Sequence, residues 1–192
     1  MAATVKRLSV ILFLAALTLL SGCIFSPEKK APRKTVPKIE YLKPISPSSA
    51  LQNLIAAYQN RDSVQTDLVY ADDYDGTSTD PSLPTQIPAF SKADEVRHVG
   101  RLKLDPNIVS VFLDLGSLGT WQVLDGYASD PPGWKIIPIN NQTVRIEDIS
   151  RATTWQSQNQ VIEYTFKPTF VPGAPAEEDT TWTVVRWTEI AN

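Results

Sequence analysis

The residue type best suited to acid–base chemistry at neutral pH occurs once in this sequence, as His98. A catalytic histidine needs a carboxylate to fix its tautomer and a pocket to tune its pKa. His98 lies within a helical repeat of Val96, Val99 and Leu102, beside the apolar face rather than on it. This spacing favours a histidine at the surface or at the boundary of the core, with catalysis as the alternative.

A run of acidic residues after Ala71 is a candidate cation site. If Gly76 takes the place of the glycine in an EF-hand loop, Asp73 and Asp75 stand at ligand positions. The first ligand position would then hold Ala71, and the last would hold Ser82 instead of a glutamate. Because both ends of the loop lack their ligands, we expect a solvated turn here. We expect neither a metal nor a cofactor.

Cys23 is the only cysteine, which excludes an internal disulfide and any multi-cysteine zinc site. It follows Lys6, Arg7 and the uncharged, mostly apolar run 8–20. A membrane span needs roughly 20 apolar residues, so this run has instead the length of a signal-peptide core. The run ends in Leu20-Ser21-Gly22-Cys23, which resembles the lipobox of bacterial lipoproteins.

The lipobox resemblance implies that residues 1–22 are an export signal and that Cys23 becomes the lipidated first residue. Diacylglycerol and palmitate-type chains on this cysteine would hold the mature protein to a membrane. Ile24 stands where the enterobacterial sorting pattern has Asp in inner-membrane lipoproteins. We therefore expect an envelope protein at the outer membrane, facing the periplasm.

Residues 23–45 have no apolar periodicity and are predicted to be a tether. Prolines alternate with lysines in this segment, which favours an extended spacer of about 60 Å. Residues 24–45 carry six basic and two acidic side chains, whereas the chain from Ser46 onward carries ten basic and nineteen acidic ones. An acidic domain repels phosphate backbones, so nucleic acid is not an expected partner. The basic tether would either attract anionic headgroups or simply stay extended and solvated.

Three helices are predicted from cap residues and from apolar side chains at three- and four-residue spacing. Ser46-Pro47, and Ser91 with Asp94, are N-terminal cap patterns. The short second helix is expected to bury Val64, Leu68 and Val69. The predicted spans are 46–60, 63–71 and 92–103.

Beyond residue 103 the apolar period changes from 3.6 to 2, which predicts strands. Residues 72–88 are predicted to be a long polar loop with at most a short strand near Tyr74. Helices followed by a meander of strands predict an α+β domain over 46–192, with its helices on one face of an antiparallel sheet. The predicted strands are 108–115, 120–127, 134–138 with 143–147, 161–168 and 181–188.

This order of elements resembles the NTF2-like (SnoaL-like, cystatin-like) family. That resemblance implies a cone, formed by a strongly curved antiparallel sheet on which the N-terminal helices pack. The residues that carry it are Ser46-Pro47, Leu54, Tyr58, Arg61-Asp62, Leu68, 71–74, the helix from Ser91, and 182–189.

The resemblance also implies candidate site residues. An Asp–His pair, or an Asp with tyrosine donors, often works inside the cone of NTF2-like enzymes, so His98 with Asp114 or Asp125 is the candidate catalytic set. Five tryptophans and six tyrosines offer a second interpretation, a surface on which a ligand stacks. The candidates for that role are Tyr58, Trp121 and Trp182, although aromatic residues on alternating strands more often serve packing.

Three functions follow from these observations. The leading hypothesis is a non-catalytic, membrane-anchored module whose cone binds a small molecule or an envelope protein. The first alternative is a small cofactor-independent enzyme of the isomerase or dehydratase type, which needs polar side chains converging in a deep pocket. The second alternative is a structural role in envelope assembly, through a homodimer across the sheet face. An exposed apolar patch on that face would favour this alternative.

Overall fold

The computed structural model describes residues 38–78, 89–140, 142–149, 152–156, 160–170 and 180–191. The predicted export signal, Cys23 and most of the predicted tether lie outside these ranges, as does Ser82. Among the described residues, no helix combines the length and the apolar character that a membrane crossing needs.

The described part of the chain contains three helices: α1 (Pro47–Asn60), α2 (Ser63–Val69) and α3 (Lys92–Leu104). As predicted, Ser46 and Ser91 begin α1 and α3 with capping boxes, in which each serine side chain accepts the backbone N–H three residues on. The apolar face of α1 is fully buried at Leu51 and Leu54. The positions of the three helices are thereby confirmed.

The prediction that α2 buries Val64 and Leu68 is wrong, because these side chains are 69% and 63% exposed. Val69, the third residue of the predicted inner face, is buried as predicted, and Thr66 is buried as well. The Thr66 hydroxyl donates to the carbonyl of Asp62, and the chain runs directly from Val69 into a strand whose first residues are buried. In a helix of seven residues, these constraints at its ends determine which face turns inward.

The described strands are β1 (Tyr70–Thr77), β2 (Phe90–Ser91), β3 (Ile108–Asp114), β4 (Leu124–Asp125), β5 (Lys135–Asn140), β6 (Thr143–Asp148), β7 (Ala152–Gln156), β8 (Gln160–Phe170) and β9 (Thr180–Ala191). They form a six-stranded and a three-stranded sheet, in the orders β2-β1-β9-β8-β5-β4 and β3-β6-β7. The first strand pairs in parallel with the last, and the other pairs are antiparallel. The α+β class is confirmed, but the larger sheet is mixed rather than purely antiparallel.

Two sequence predictions fail where polar residues or turns interrupt the pattern. β1 includes the short strand expected near Tyr74 but is longer, because it begins at Tyr70, within the predicted second helix, and continues to Thr77. Its acidic side chains point outward while Tyr70 and Tyr74 point inward, so the acidic residues concealed the strand pattern. The strand predicted over 120–127 shrinks to the two residues of β4. Just before this segment the backbone turns at Gly116 and Gly119, which both have positive φ angles.

Residues 38–45 lie along α1 and are hydrogen bonded to it, although they were predicted to belong to the tether. The Asn53 side chain accepts the Leu42 N–H (2.7 Å) and donates to the Leu42 carbonyl (2.8 Å). Asn60 makes the same two contacts with Ile39, at 2.9 and 2.7 Å. Because the two asparagines are two helical turns apart, they lie on one face of α1. The folded unit therefore includes the chain from Lys38.

Candidate functional site

A cavity of about 450 Å³ lies where α1, α3, β1 and the inner faces of the two sheets meet. Its volume falls within the range typical of small-molecule sites. Apolar side chains form part of its wall, among them Leu54, Leu113, Val144 and Trp187. The polar part of the wall holds Tyr58, Tyr70, Tyr74, Asp94, Glu95, Arg97, His98, Arg101, Gln142 and Tyr164. Polar groups thus converge in a cavity that is not filled by the core.

Local features of the helices and of β1 explain why these polar side chains point into the cavity. Tyr58 lies one helical turn beyond Leu54 on the inner face of α1, and Tyr70 and Tyr74 occupy inward positions of β1. A Cβ atom on Gly76 would lie 2.6 Å from the Tyr74 hydroxyl oxygen, so this glycine leaves room for the phenol group. The first turn of α3 supplies Glu95, directly after the capping residue Asp94.

Two carboxyl groups line the cavity, those of Asp94 and Glu95. Asp94 forms an ion pair with Arg97, whereas Glu95 accepts a hydrogen bond from the Tyr58 hydroxyl. Burial raises the pKa of Glu95 above its usual value, and this outweighs the lowering effects of the Tyr58 hydrogen bond, of nearby His98 and of the Tyr74 hydroxyl. A carboxyl group of this kind takes up and releases a proton closer to neutral pH than a solvated one. That property suits proton transfer.

The tyrosines around Glu95 act as hydrogen-bond donors. Burial is the largest cause that raises the pKa values of Tyr58, Tyr70, Tyr74 and Tyr164, and the negative charge of Glu95 adds to it. These phenols therefore stay protonated at neutral pH. The Tyr164 hydroxyl donates to the side-chain oxygen of Gln142 at 2.9 Å. The cavity thus places phenol donors around one carboxyl group.

Of the residues proposed for catalysis, His98 lines the cavity, and its ring centre lies 6.2 Å from that of Tyr58. Asp114 instead accepts the N–H of Gly116 at 2.9 Å, and Asp125 forms an ion pair with Lys135. Neither aspartate is among the residues that line this cavity. The structure brings His98 together with Glu95, not with Asp114 or Asp125.

The three aromatic residues proposed to bind a ligand do not lie together either. Tyr58 lines the cavity, whereas Trp121 and Trp182 pack against the core without lining it. The Trp121 ring N–H donates to the carbonyl of Leu115 at 2.6 Å, and the Trp182 backbone N–H donates to the carbonyl of Pro44 at 2.8 Å. Trp187, which was not singled out, contributes to the cavity wall.

Glu95 was missed although the sequence carried a signal for it. It precedes Val99 by four residues and Leu102 by seven, which is the spacing of one helix face. Val99 and Leu102 are both buried, so Glu95 points to the same side. A carboxyl group on the inner face of a predicted helix is the pattern that should have been recognised.

The acidic run after Ala71 belongs to β1 instead of a turn. Asp72 forms an ion pair with Lys92, and Asp73 forms one with Lys167. Within the described ranges, no group of three or more histidine, cysteine, aspartate or glutamate side chains has the geometry to hold a metal ion.

Neither a protein-family model nor a curated protein sequence matches this chain. Similar solved structures include an NTF2-like protein of unknown function in nutrient uptake from Rhodospirillum rubrum, with 12% identity, a TM-score of 0.46, and coverage of 74% of this chain and 95% of that chain. A ketosteroid isomerase-like protein from Erwinia carotovora atroseptica has 12% identity, a TM-score of 0.43 and coverage of 73% and 89%. ActVI-ORFA from Streptomyces coelicolor has 14% identity, a TM-score of 0.44 and coverage of 73% and 90%.

The likeness is to NTF2-like folds. It concerns the arrangement of helices and sheet, which is the arrangement expected from the sequence. At identities of 12 to 14%, a likeness to NTF2-like structures does not indicate which molecule this chain binds.

Proposed function

We propose that the tyrosine-lined cavity binds a compact, mainly apolar small molecule that presents a hydrogen-bond donor to Glu95. The observation that carries this proposal is the Glu95 carboxyl group, which lines a cavity of about 450 Å³ and is held largely out of water there. A carboxyl group that is removed from water without full compensation costs free energy of folding. A packed core of apolar residues would avoid that cost, so a ligand best accounts for the arrangement.

A neutral fluorescent probe, phenylnaphthylamine, tests this proposal because it has an apolar body and a single N–H donor. His98 is exposed at the edge of the cavity, so its replacement can change access without removing core packing. We expect His98→Trp to weaken binding of the probe by about tenfold, which corresponds to about 1.4 kcal/mol, because the larger ring occupies the entrance. The matched variant His98→Ala should bind at least as tightly as the natural protein. Equal affinities in all three proteins would mean that the probe binds elsewhere, which would contradict the proposal.

The raised pKa of Glu95 favours a second candidate function, cofactor-independent acid–base catalysis in the same cavity. In this candidate, the Glu95 carboxylate removes a proton from a substrate carbon. The protonated phenols donate hydrogen bonds to the substrate oxygen on which negative charge develops. The candidate is tested by proton abstraction from nitrobenzisoxazole, a substrate on which a carboxylate in an apolar pocket can act.

For the location of the protein, we propose a lipid anchor on Cys23 in a bacterial envelope, at the outer membrane and facing the periplasm. The support is the sequence Leu20-Ser21-Gly22-Cys23 after the uncharged run 8–20. Cys23→Ser should yield an unprocessed or soluble product, as measured by cell fractionation and by the mass of the mature chain. Ser21→Ala, which keeps a small residue at its position, is the control and should be processed normally. A fully processed Cys23→Ser protein that stays with membranes would contradict the proposal.

A further inference from the structure

One side of α3 brings two arginines to the edge of the cavity, and Asp94, which also lines the cavity, pairs with only one of them. Arg97, His98 and Arg101 all line the cavity and are all exposed. Arg101 lies four residues after Arg97 and three after His98, so the three side chains are neighbours on the helix surface. Arg97 forms an ion pair with Asp94 at 2.9 Å. Arg101 forms no ion pair with any residue of the described ranges.

This unpaired guanidinium stands out because the domain is rich in acidic groups. From Ser46 onward, the chain has nineteen acidic and ten basic side chains. Most of the other basic side chains in the described part of the chain are paired with carboxylates, namely Lys92, Arg97, Lys135, Arg145, Lys167 and Arg186. Arg61 donates to the carbonyl of Ile108 at 2.7 Å, and Lys103 is exposed away from the cavity. Arg101 is thus a cation beside the cavity that no described carboxylate neutralises.

We propose that the ligand is an amphipathic organic anion, whose apolar body enters the cavity and whose anionic group stays at the entrance against Arg101. This inference rests on the proposed binding function and names the class of molecule that is bound. Glu95 makes the orientation one-sided, because a carboxylate inside the cavity repels an anionic group and accepts a donor. A guanidinium matches a carboxylate or sulfonate with two parallel hydrogen bonds, which a lysine in its place would not provide.

Two related dyes distinguish the contribution of the anionic group to binding from that of the apolar body. Anilinonaphthalene sulfonate differs from phenylnaphthylamine by its sulfonate, and both fluoresce when they leave water. We expect Arg101→Gln to weaken binding of the sulfonate dye roughly fivefold, since an exposed charge pair contributes modestly. The neutral dye should bind to this variant as it does to the natural protein. Lys103→Gln is the matched control, because it removes the same charge from the same helix at a position that does not line the cavity.

The outcomes distinguish this inference from the proposal on which it rests. If Arg101→Gln and Lys103→Gln weaken the sulfonate dye equally, the effect is one of overall charge and the inference is wrong. The inference also fails if Arg101→Gln weakens binding of both dyes alike or of neither, even though His98→Trp weakens binding of the neutral dye. If His98→Trp weakens binding of neither dye, the binding function itself fails.

Discussion

Glu95→Gln should abolish proton abstraction in the cavity, with a loss of at least about 100-fold in the rate with nitrobenzisoxazole. In this reaction the carboxylate takes the proton from the ring carbon, the N–O bond breaks, and a cyanophenolate is released. Glutamine has nearly the same size and can still accept the hydrogen bond of Tyr58, but it cannot accept the proton. The measurement is the absorbance of the phenolate product.

The pH dependence of this rate is a second test of Glu95 as the base. The rate should rise with pH as Glu95 loses its proton, with a midpoint above the usual pKa of a glutamate, because burial raises the pKa of Glu95. Tyr58→Phe should move the midpoint further up, since the hydrogen bond from Tyr58 lowers the pKa. An unchanged rate in Glu95→Gln would contradict the catalytic role. A natural protein no faster than the buffer would leave the cavity as a binding site alone.

The same substitution should stabilise the fold. Because the folded state holds the Glu95 proton to higher pH than the unfolded state, the stability of the natural protein falls as pH rises through this range. At neutral pH we expect Glu95→Gln to raise the free energy of unfolding by on the order of 1 kcal/mol, or Tm by about 3 °C. Below the usual pKa of a glutamate the gain should vanish.

The neighbouring residue supplies a control of opposite sign. Hydrogen bonds from Ser91 and the charge of Arg97 lower the pKa of Asp94. The contribution of Asp94 is therefore present above the usual pKa of an aspartate and is lost as pH falls through its lowered pKa. Asp94→Asn should lower Tm at neutral pH. If both substitutions moved Tm in the same direction, the assignment of a destabilised carboxyl group to the cavity would be wrong.

Asp130→Ala should destabilise the domain by about 2–3 kcal/mol, and lower Tm by roughly 5–10 °C. The side chain of Asp130 is only 5% exposed, and Arg186 donates to both of its oxygens at 2.8 and 2.9 Å. The carboxylate also accepts the Tyr127 N–H at 2.9 Å. Alanine would leave the guanidinium on β9 and the loop before β5 without their common partner. Thermal unfolding followed by circular dichroism measures the effect.

This loss should depend on pH in a defined direction. The Arg186 hydrogen bonds hold the pKa of Asp130 below its usual value, so the stabilisation is present above the usual pKa of an aspartate. It should be lost as pH falls through the lowered pKa. Asp125→Ala is the control, because that carboxylate is 87% exposed and pairs with Lys135 on the surface. Equal losses of Tm in the two variants would refute the structural role of Asp130.

Sequence patterns correctly predicted those helices and strands that are determined by residues close together in the chain. Ser46 and Ser91 marked two helix starts, and the alternation around Ile162, Tyr164 and Phe166 marked β8. The same method failed for β1, whose acidic outer face concealed the inward Tyr70 and Tyr74. It also could not foresee the parallel pairing of β1 with β9, because strand pairing depends on contacts between segments that are distant in sequence.

The sequence by itself thus determined the α+β class, the three helix positions, the excess of acidic charge and the presence of a single cysteine. Only the tertiary structure decided which polar groups meet. Periodicity reports one face of one element, whereas the cavity joins α1, β1, α3 and β8 through Tyr58, Tyr74, Glu95 and Tyr164. The single histidine turned out to lie beside Glu95 instead of Asp114 or Asp125, because the packing of Val99 and Leu102 sets the rotation of α3. The chemistry of the site therefore follows from how the helices pack on the sheets.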